Sequence, residues 1–178
     1  MKRALPLLAL TLGLTSVGAQ AADNAVIGSL YLPTVDVEEE NGSPDALQVE
    51  FRHSLNRNVW FGGMLTTGFG EDALTPLNDV EVGNSLTLMI GAQTEFAHRV
   101  SGYAFLGYGK AEGSVTGPGG GDADGNGVAW GLGMDFGVSD NMLIDVAYVS
   151  LFDGDMDVDG VDIEVAIAGP RVGIGFTF

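Results

Sequence analysis

The last nine residues read Pro170-Arg171-Val172-Gly173-Ile174-Gly175-Phe176-Thr177-Phe178. From Val172 onward the apolar residues occupy the even positions, and the residues between them are small or polar. This period of two predicts a β-strand with one apolar face. A strand that ends at the carboxyl terminus needs a partner strand for its backbone groups, so the segment predicts a sheet that the C-terminus completes.

The N-terminal end has the pattern of an export signal. Lys2 and Arg3 precede an apolar run from Ala4 to Leu14, and Ala19-Gln20-Ala21 has the small residues that a signal peptidase accepts. The run is shorter than the ~20 residues of a membrane-spanning helix. The sequence therefore predicts a signal peptide over residues 1–21 and one domain over residues 22–178.

The composition of that domain excludes several classes of function. It keeps all 24 acidic residues but few bases, namely Arg52, Arg57, Arg99, Lys110 and Arg171. Nucleic acid is not an expected partner, because its binding requires Lys and Arg to neutralise phosphates. The absence of cysteine excludes disulfides, thiolate metal sites and thiol catalysis. With 28 glycines and 46% hydrophobic residues in short alternating runs, the composition indicates an all-β exported domain.

The alternating runs predict eight strands, joined alternately by tight turns and by long acidic or glycine-rich loops. We therefore predict an all-β fold, an eight-stranded antiparallel up-and-down transmembrane β-barrel. The predicted strands are Ala25 to Pro33, Ala46 to Leu55, Asn58 to Phe69, Gly83 to Ala97, Gly102 to Gly113, Gly127 to Val138, Met142 to Phe152 and Val161 to Phe178.

The side chains on the two faces of these strands differ in size as well as in polarity. In the second strand Leu47 and Val49 alternate with Gln48 and Glu50, and in later strands the second face is mostly Gly and Ala. A soluble sheet also alternates, but its solvent face would be rich in Lys, Glu and Thr. Small residues with a few charges are expected inside a narrow barrel, where each charge needs a partner.

Strand parity predicts which polar residues face the lumen. An eight-stranded barrel is just wide enough for side chains to fill it, so we expect Arg52 and Arg171 to bridge the carboxylates and plug the interior. The alternative is that the same residues line a narrow pore for ions or small solutes. The predicted interior set is Gln48, Glu50, Arg52, Gln93, Glu95, Asp135, Asp145 and Arg171.

Some residues do not follow one register. In the last strand Val165 and Ile167 are odd-numbered, whereas the apolar residues from Val172 are even-numbered, which predicts a β-bulge near Ala168-Gly169-Pro170. The fifth strand, from Tyr103 to Gly109, is apolar on both faces and has no assignable register. Candidates for the aromatic girdles at the membrane interfaces are Trp60, Tyr103, Trp130 and Tyr148.

The predicted loops at one end contain fifteen acidic residues and no Lys or Arg. Solvation in a salty medium explains such acidity, because salt screens the self-repulsion, and binding of divalent cations is the competing use. The acidic residues are Asp36, Glu38, Glu39, Glu40, Asp45, Glu71, Asp72, Asp79, Glu81, Asp122, Asp124, Asp153, Asp155, Asp157 and Asp159.

Two of these segments match the opening of a calcium-binding loop. They are Asp122-x-Asp124-x-Asn126-Gly127 and Asp155-x-Asp157-x-Asp159-Gly160. The twelfth position is Gly133 or Ala166 instead of a bidentate Glu, so the motif is incomplete. These residues are weak metal candidates, and no cofactor is expected.

Three stretches resemble the small outer-membrane β-barrels of Gram-negative bacteria, the OmpA/OmpX-like porin family. They are Gly102 to Gly109, Gly127 to Phe136 with the turn Ser139-Asp140-Asn141, and Arg171 to Phe178. The resemblance implies export through the Sec pathway into the outer membrane. In that family the terminal strand is read by the barrel-assembly machinery, which implies this role for Val172, Ile174, Phe176 and Phe178.

The resemblance also implies a structural or surface-interaction role without enzymatic activity, and the acidity argues against binding to host cells. An outer-leaflet lipid enzyme would need a nucleophile beside a base. His53, late in the second strand, and His98, in a tight turn, have no such partner in sequence, and both fall at the short-turn end. Oligomeric state is not predicted.

Overall fold

The computed structural model describes residues 24–37, 40–69, 71–73, 79–116, 121–158 and 161–178. Every regular element in these ranges is a β-strand. They contain no helix that is long and apolar enough to cross a membrane. The predicted signal peptide, residues 1–21, lies outside the described residues.

Eleven strand segments form one antiparallel sheet. Three of the barrel strands are interrupted near the long-loop end, so that β1 continues into β2, β3 into β4 and β5 into β6. The segments are β1 Asn24–Tyr31, β2 Thr34–Val37, β3 Glu40–Gly42, β4 Ala46–Ser54, β5 Val59–Gly68, β6 Glu71–Ala73, β7 Asp79–Ala97, β8 Val100–Thr116, β9 Asp122–Gly137, β10 Met142–Val158 and β11 Val161–Thr177.

The sheet closes on itself through its first and last strands. β1 pairs with β4 on one side and with β11 on the other. At the end of this seam the backbone N–H of Asn24 donates to the Phe178 carbonyl at 3.1 Å, and the Phe178 N–H donates back at 3.0 Å. The prediction of an eight-stranded antiparallel barrel closed by the C-terminal segment is confirmed.

Tight turns join the strands at one end, called here the short-turn end. The turn between β7 and β8 is His98-Arg99, and Arg99 adopts a positive φ of 63°. At the opposite end β7 to β11 run for 16 to 19 residues each, well beyond the ~9–11 that cross a bilayer. Several residues predicted as loop, among them Asp122 and Asp124, therefore belong to strands.

A band of outward apolar side chains surrounds the half of the barrel that contains the short turns. Along β7, for example, Leu86, Leu88 and Ile90 are 52–68% exposed, and along β11 Val172 and Ile174 are equally prominent. The inward positions in this half carry polar residues and glycines together with some aromatic and apolar side chains, such as Trp60 and Met64. This is the arrangement of a membrane-spanning barrel, whose outer face meets hydrocarbon.

The polarity of the two faces reverses in the other half, called here the long-strand half. There the inward side chains are buried and apolar, as Leu151, Phe152 and Ile167 illustrate. The outward side chains include the exposed acids Glu112 and Glu164. The long-strand half is thus built like a soluble β-barrel with an apolar core.

This reversal corrects the predicted bulge in the last strand. Val165, Ile167 and Arg171 all face inward in a single register, so β11 has no bulge at Ala168-Gly169-Pro170. The apolar residues change from odd to even positions because the apolar surroundings of β11 are inside the barrel in the long-strand half and outside it in the membrane-spanning half. The bulge lies in the neighbouring strand at Leu151, since Ser150 pairs with Ala168 and Phe152 pairs with the adjacent Ile167.

The register of β8 follows from the same rules. Tyr103 and Phe105 point inward and are 6% and 3% exposed, whereas Leu106 and Tyr108 point outward. Of the four predicted girdle residues, Trp130 and Tyr148 face outward, with ring centroids 6.1 Å apart. The prediction was wrong for Tyr103 and for Trp60, which is 0% exposed, because both fill the lumen.

Glycines on neighbouring strands make room for these inward rings. A Cβ atom added at Gly91 would lie 2.2 Å from the Trp60 ring, and one at Gly131 would lie 2.4 Å from the Phe105 ring. Large and small side chains therefore alternate across the lumen. The high glycine content serves this packing as well as backbone pairing.

Candidate functional site

Five charged side chains meet in the lumen near the middle of the membrane-spanning half. They form the interior charge cluster, which consists of Glu50 and Arg52 on β4, Asp135 on β9, Asp145 on β10 and Arg171 on β11. Each occupies an inward position of its strand, and the register of the closed barrel directs all five to one level. The fold therefore gathers residues that lie up to 121 positions apart in the chain.

Arg52 joins three carboxylates. It pairs through Nε with Glu50, through Nη1 with Asp135 Oδ2 at 2.8 Å and through Nη2 with Asp145 Oδ2 at 3.3 Å. Asp135 and Asp145 stand directly opposite each other on β9 and β10, a like-charge pair that would be unfavourable without a cation between them. The guanidinium also lies 4.1 Å from the Tyr103 ring centroid and 4.9 Å from that of Trp60, within the range of cation–π attraction.

Arg171 joins two of the same carboxylates from the other side. Its Nη2 lies 2.5 Å from Glu50 Oε2, and its Nε lies 2.9 Å from Asp145 Oδ1. The same Nη2 donates to the Tyr103 hydroxyl at 2.9 Å, and that hydroxyl donates to Asp145 Oδ2 at 2.5 Å. Both arginines thus share Glu50, Asp145 and Tyr103.

The polar contacts extend beyond the charges. Arg171 Nη1 donates to Gln48 Oε1 at 3.4 Å, and Gln48 Nε2 donates to Thr66 Oγ1 at 3.2 Å. Six of the eight residues predicted for the interior are therefore brought together. They are Gln48, Glu50, Arg52, Asp135, Asp145 and Arg171.

The other two predicted interior residues lie outside the cluster. Gln93 is half-buried at the short-turn end, where its Nε2 donates to the Arg57 carbonyl at 3.3 Å. Glu95 is exposed, so its prediction as an interior residue was wrong. The physical reason is that β7 ends at Ala97, with a register shift between Glu95 and Ala97, so this part of the strand lies at the rim of the lumen.

Sequence reasoning missed Tyr103 and Trp60 as members of the site. A signal for Tyr103 was present, because Gly107 and Gly109 share its odd parity and small residues mark the inward face. For Trp60 the corresponding signal is Gly62, two positions on, which is buried on the same face. Aromatic side chains were expected at the membrane interface, so Trp60 and Tyr103 were assigned there although their parity places them in the lumen.

A vestibule of about 250 Å³ opens at the short-turn end and reaches inward to the charge cluster. Arg52, Asp135 and Trp60 line its inner part, and Arg99 and Asp140 lie at its rim, paired with each other at 2.7 Å. Its remaining walls consist of Asn24, Ala25, Ser54, Gln93, Ser101, Gly137, Ser139, Met142, Leu143 and Thr177.

Two buried atoms of the vestibule lining have no hydrogen-bond partner among the described residues. They are Asp135 Oδ1, an acceptor, and Trp60 Nε1, a donor. Asp135 is 13% exposed, and Trp60 is fully buried. Both atoms are buried against the surrounding side chains and backbone; Trp60 Nε1, for example, would lie 2.8 Å from a Cβ atom at Gly91.

The weak metal candidates that the structure describes in full, Asp122, Asp124 and Asn126, are not assembled into a site. Asp122, Asp124 and Asn126 lie along the outward face of β9, where the extended backbone does not wrap around an ion as a calcium loop does. The backbones of Asp155 and Asp157 belong to β10. Their side chains, and all of Asp159, lie outside the described residues. Within those residues no three His, Cys, Asp or Glu side chains are grouped to hold a metal ion.

Both histidines lie at the short-turn end, as predicted. His53 Nδ1 lies 2.9 Å from Asn24 Oδ1, and its ring contacts Phe61 edge-on at 5.1 Å between centroids. His98 is exposed in the turn after β7. The contacts of His53 are those of a side chain that helps to fix the chain ends.

The residues expected to act in assembly share one face of β11. Val172, Ile174, Phe176 and Phe178 are 45–56% exposed on the outer surface. Their backbone is held by β1 and β10, which flank the closing strand.

Comparisons with known proteins agree with this architecture. The family model described as "Outer membrane protein beta-barrel domain" matches residues 7–168. No match was found among curated protein sequences.

Among solved structures, Neisserial surface protein A superposes with a TM-score of 0.71 at 14% identity, over 90% of this chain and 100% of that one. Ail, the attachment invasion locus protein of Yersinia pestis, superposes with a TM-score of 0.62 at 19% identity, over 88% of this chain and 99% of that one. It has also been solved with the heparin analogue sucrose octasulfate. OprG of Pseudomonas aeruginosa superposes with a TM-score of 0.56 at 14% identity, over 92% of this chain and 99% of that one. At these identities the likeness concerns the fold.

Proposed function

Because the chain belongs to the family of the outer membrane protein beta-barrel domain, we propose that it is a plugged, non-enzymatic barrel with a structural or surface-interaction role. As a member of that family it lies in the lipid of a Gram-negative outer membrane. The short-turn end then faces the periplasm, and the long-strand half faces the cell exterior.

The observation that carries the proposal is the filling of the lumen by the interior charge cluster. Glu50 and Asp145 are 0% exposed and Arg171 is 1% exposed, so water does not reach them through the lumen. Each is held by at least two charged partners. An ion that crosses the lumen would have to break several buried ion pairs, each of which is costly to break.

A second obstruction lies above the first. The buried apolar side chains of the long-strand half, with Tyr31, Phe152 and Met156 among them, pack over the charge cluster. The Tyr31 hydroxyl donates to the Val149 carbonyl at 3.1 Å, which fixes the ring across the lumen. A water-filled path therefore meets an apolar core as well as an ionic plug.

The outer surface of the long-strand half supports a role in surface interaction. In the described part of the long-strand half, Lys110 is the one base that faces outward. Glu112 and Asp124 pair with it at 3.2 and 3.4 Å. This surface should repel polyanions such as the sulfated ligand seen with Ail and should favour cationic partners or a salty medium. The exposed acids there are Asp36, Asp45, Glu112, Asp122, Asp124, Asp153 and Glu164.

Planar-bilayer recording tests the plug. The mature chain, refolded in detergent and added to the bilayer, should give no stable channels under conditions in which a general porin conducts. Stable, reproducible channels from the wild-type protein would contradict the proposal and favour the alternative, a narrow pore for ions or small solutes. Heat-modifiable gel mobility of the same sample confirms that the barrel is folded.

We also propose that delivery follows the usual route for the family, by Sec-dependent export and recognition of the terminal strand by the barrel-assembly machinery. The support is the outward row formed by Val172, Ile174, Phe176 and Phe178 on the strand that closes the barrel. The absence of enzymatic activity is part of the same proposal, since His53 is engaged with Asn24 and Phe61. No oligomer is proposed.

A further inference from the structure

The interior charge cluster does not balance its own charges. Three carboxylates, Glu50, Asp135 and Asp145, face two guanidinium groups, Arg52 and Arg171. With all five groups ionised, one negative charge is left over. Uncompensated charge in a low-dielectric interior is unfavourable, and a titratable group there tends to neutralise itself. One bound proton would balance the cluster.

Asp135 is the carboxylate that the arginines compensate least. Glu50 and Asp145 each pair with both guanidinium groups. Asp135 pairs with Arg52 alone, through Oδ2 at 2.8 Å. Its second oxygen, Oδ1, is buried and receives no hydrogen bond from any described residue. The excess negative charge of the cluster therefore falls on Asp135.

The side chains of Asp135 and Asp145 are hydrogen-bonding partners across β9 and β10, where the two residues stand directly opposite each other. An ionised carboxylate only accepts hydrogen bonds, so two of them cannot bond to each other. A hydrogen bond between the two side chains therefore requires a proton on one of them, as in other carboxylate pairs that share a single proton.

The contacts of Asp145 decide which of the two carries that proton. Its Oδ1 accepts from Arg171 Nε at 2.9 Å, and its Oδ2 accepts from Arg52 Nη2 at 3.3 Å and from the Tyr103 hydroxyl at 2.5 Å. Hydrogen bonds from these donors stabilise the ionised form of Asp145. The proton therefore belongs to Asp135, which accepts from Arg52 alone among the described residues.

We propose that Asp135 and Asp145 form a proton-binding pair, in which Asp135 holds one proton that it shares with Asp145 at pH values where exposed carboxyl groups are ionised. The bound proton makes the plug electrically neutral. Asp135 is 13% exposed and lines the vestibule, so solvent on the periplasmic side supplies and removes the proton. The charged and titratable groups that face the pair are Glu50 and Arg52 from β4, Tyr103 from β8 and Arg171 from β11, with Arg99 and Asp140 paired at the rim. This goes beyond the proposed function, because it adds a bound proton, and with it a response to periplasmic pH, to a barrel that does not conduct.

Infrared spectroscopy detects the proton directly, because the C=O stretch of a protonated carboxyl group is separate from the bands of carboxylates and amides. The refolded mature protein is measured in a detergent without carbonyl groups at about pH 6, where exposed Asp and Glu side chains, with ordinary pKa values of about 4, are almost fully ionised. The wild type should show the band of one protonated carboxyl group, and Asp135→Asn should lack it. Asp140→Asn removes an exposed carboxylate from the rim and should keep the band. Absence of the band in the wild type, or its persistence in D135N, would overturn the proposal.

Two matched amide variants separate the roles of the two carboxyl groups. Asp135→Asn keeps a neutral side chain of the same shape, whose N–H donates to Asp145, so the urea midpoint of unfolding at about pH 6 should change little. Asp145→Asn removes the acceptor shared by Arg52, Arg171 and Tyr103, so it should lower the midpoint much more or prevent refolding. A loss in D135N equal to that in D145N would overturn the proposal. The infrared comparison does not depend on the folding of D145N.

The stability of the barrel should also depend on pH through this pair. A proton that the folded barrel holds and the unfolded chain has released adds stability that is present at low pH and is lost as the pH rises and the folded barrel releases the proton. The urea midpoint of the wild type, measured relative to that of D135N, should therefore fall between about pH 6 and about pH 8. The difference between the wild type and D140N should stay constant over the same range. A constant difference between the wild type and D135N would overturn the proposal.

Discussion

Replacement of Arg171 by methionine tests whether the interior charge cluster holds the barrel together. Methionine is unbranched and reaches as far as the arginine Nε, so the change removes the rest of the guanidinium with its charge and hydrogen bonds. The losses are the ion pairs to Glu50 at 2.5 Å and to Asp145 at 2.9 Å, and the hydrogen bonds to the Tyr103 hydroxyl at 2.9 Å and to Gln48 at 3.4 Å. The cluster then has three carboxylates and one guanidinium.

The expected cost follows from that change in charge. Removal of one partner from a buried ion pair typically costs about 3–5 kcal/mol, because the other charge stays buried without compensation. We therefore expect Arg171→Met to lower the free energy of unfolding by about 3–5 kcal/mol. The double variant R171M/E50Q has the same net charge as the wild type and should recover about 1–3 kcal/mol of that loss, which is the range of coupling between groups in contact.

The measurement is reversible urea unfolding of the refolded protein in lipid or detergent, followed by tryptophan fluorescence. The wild type, R171M, E50Q and R171M/E50Q form a double-mutant cycle. Arg57→Met is the matched control, because Arg57 is an exposed residue of the turn after β4 and its loss should change stability by less than about 0.5 kcal/mol. A cost below about 1 kcal/mol for R171M, or strictly additive effects in the cycle, would refute the reasoning.

Two further predictions concern the packing of the lumen and the orientation of the aromatic residues. Gly133→Ala should destabilise the barrel by about 1–3 kcal/mol through overpacking, because its Cβ would lie 2.6 Å from the Tyr103 hydroxyl. Gly28→Ala is the control, because no atom lies within 4 Å of a Cβ at that position. Equal stability of the two variants in the urea assay would contradict the packing argument. Lipids brominated in their acyl chains should quench the fluorescence of a W60F variant, in which Trp130 remains, far more than that of a W130F variant; similar quenching of both would place Trp60 in lipid.

The barrel itself was predictable because alternation with a period of two is a local property. The strands around Leu47, Leu88 and Val172 each show an apolar face, and the short turns between them fix which strands are neighbours. The same local pattern identified Glu50, Arg52 and Arg171 as inward residues. Their partners across the lumen were not predictable in detail, since those contacts depend on the register of eight strands at once.

The change of parity in β11 illustrates a limit of such reasoning. A bulge and a change of environment both move apolar residues from odd to even positions, and the sequence alone does not distinguish them. Both occur here in adjacent strands. β10 contains a bulge at Leu151, whereas β11 keeps one register from Val165 to Arg171 and passes from an apolar core into the charge cluster.

Trp60 and Tyr103 illustrate a second limit. An aromatic side chain suits both the membrane interface and the filled lumen of a narrow barrel, so residue type does not decide between them. The deciding feature is space on the neighbouring strand, which Gly91 provides for Trp60 and Gly133 provides for Tyr103. These glycines are 31 and 30 positions away in the sequence, and only the strand register connects them to the rings they accommodate.

The double filling of the lumen has a consequence for how the two ends of the protein relate. The vestibule ends at Arg52, and the outer surface is separated from it by the charge cluster and by the apolar core around Phe152. A ligand shifts an equilibrium between two states only if it binds them differently. A compound that enters the vestibule stays on the periplasmic side of the plug, so it should leave the acidic exterior unchanged, and the two surfaces should act independently.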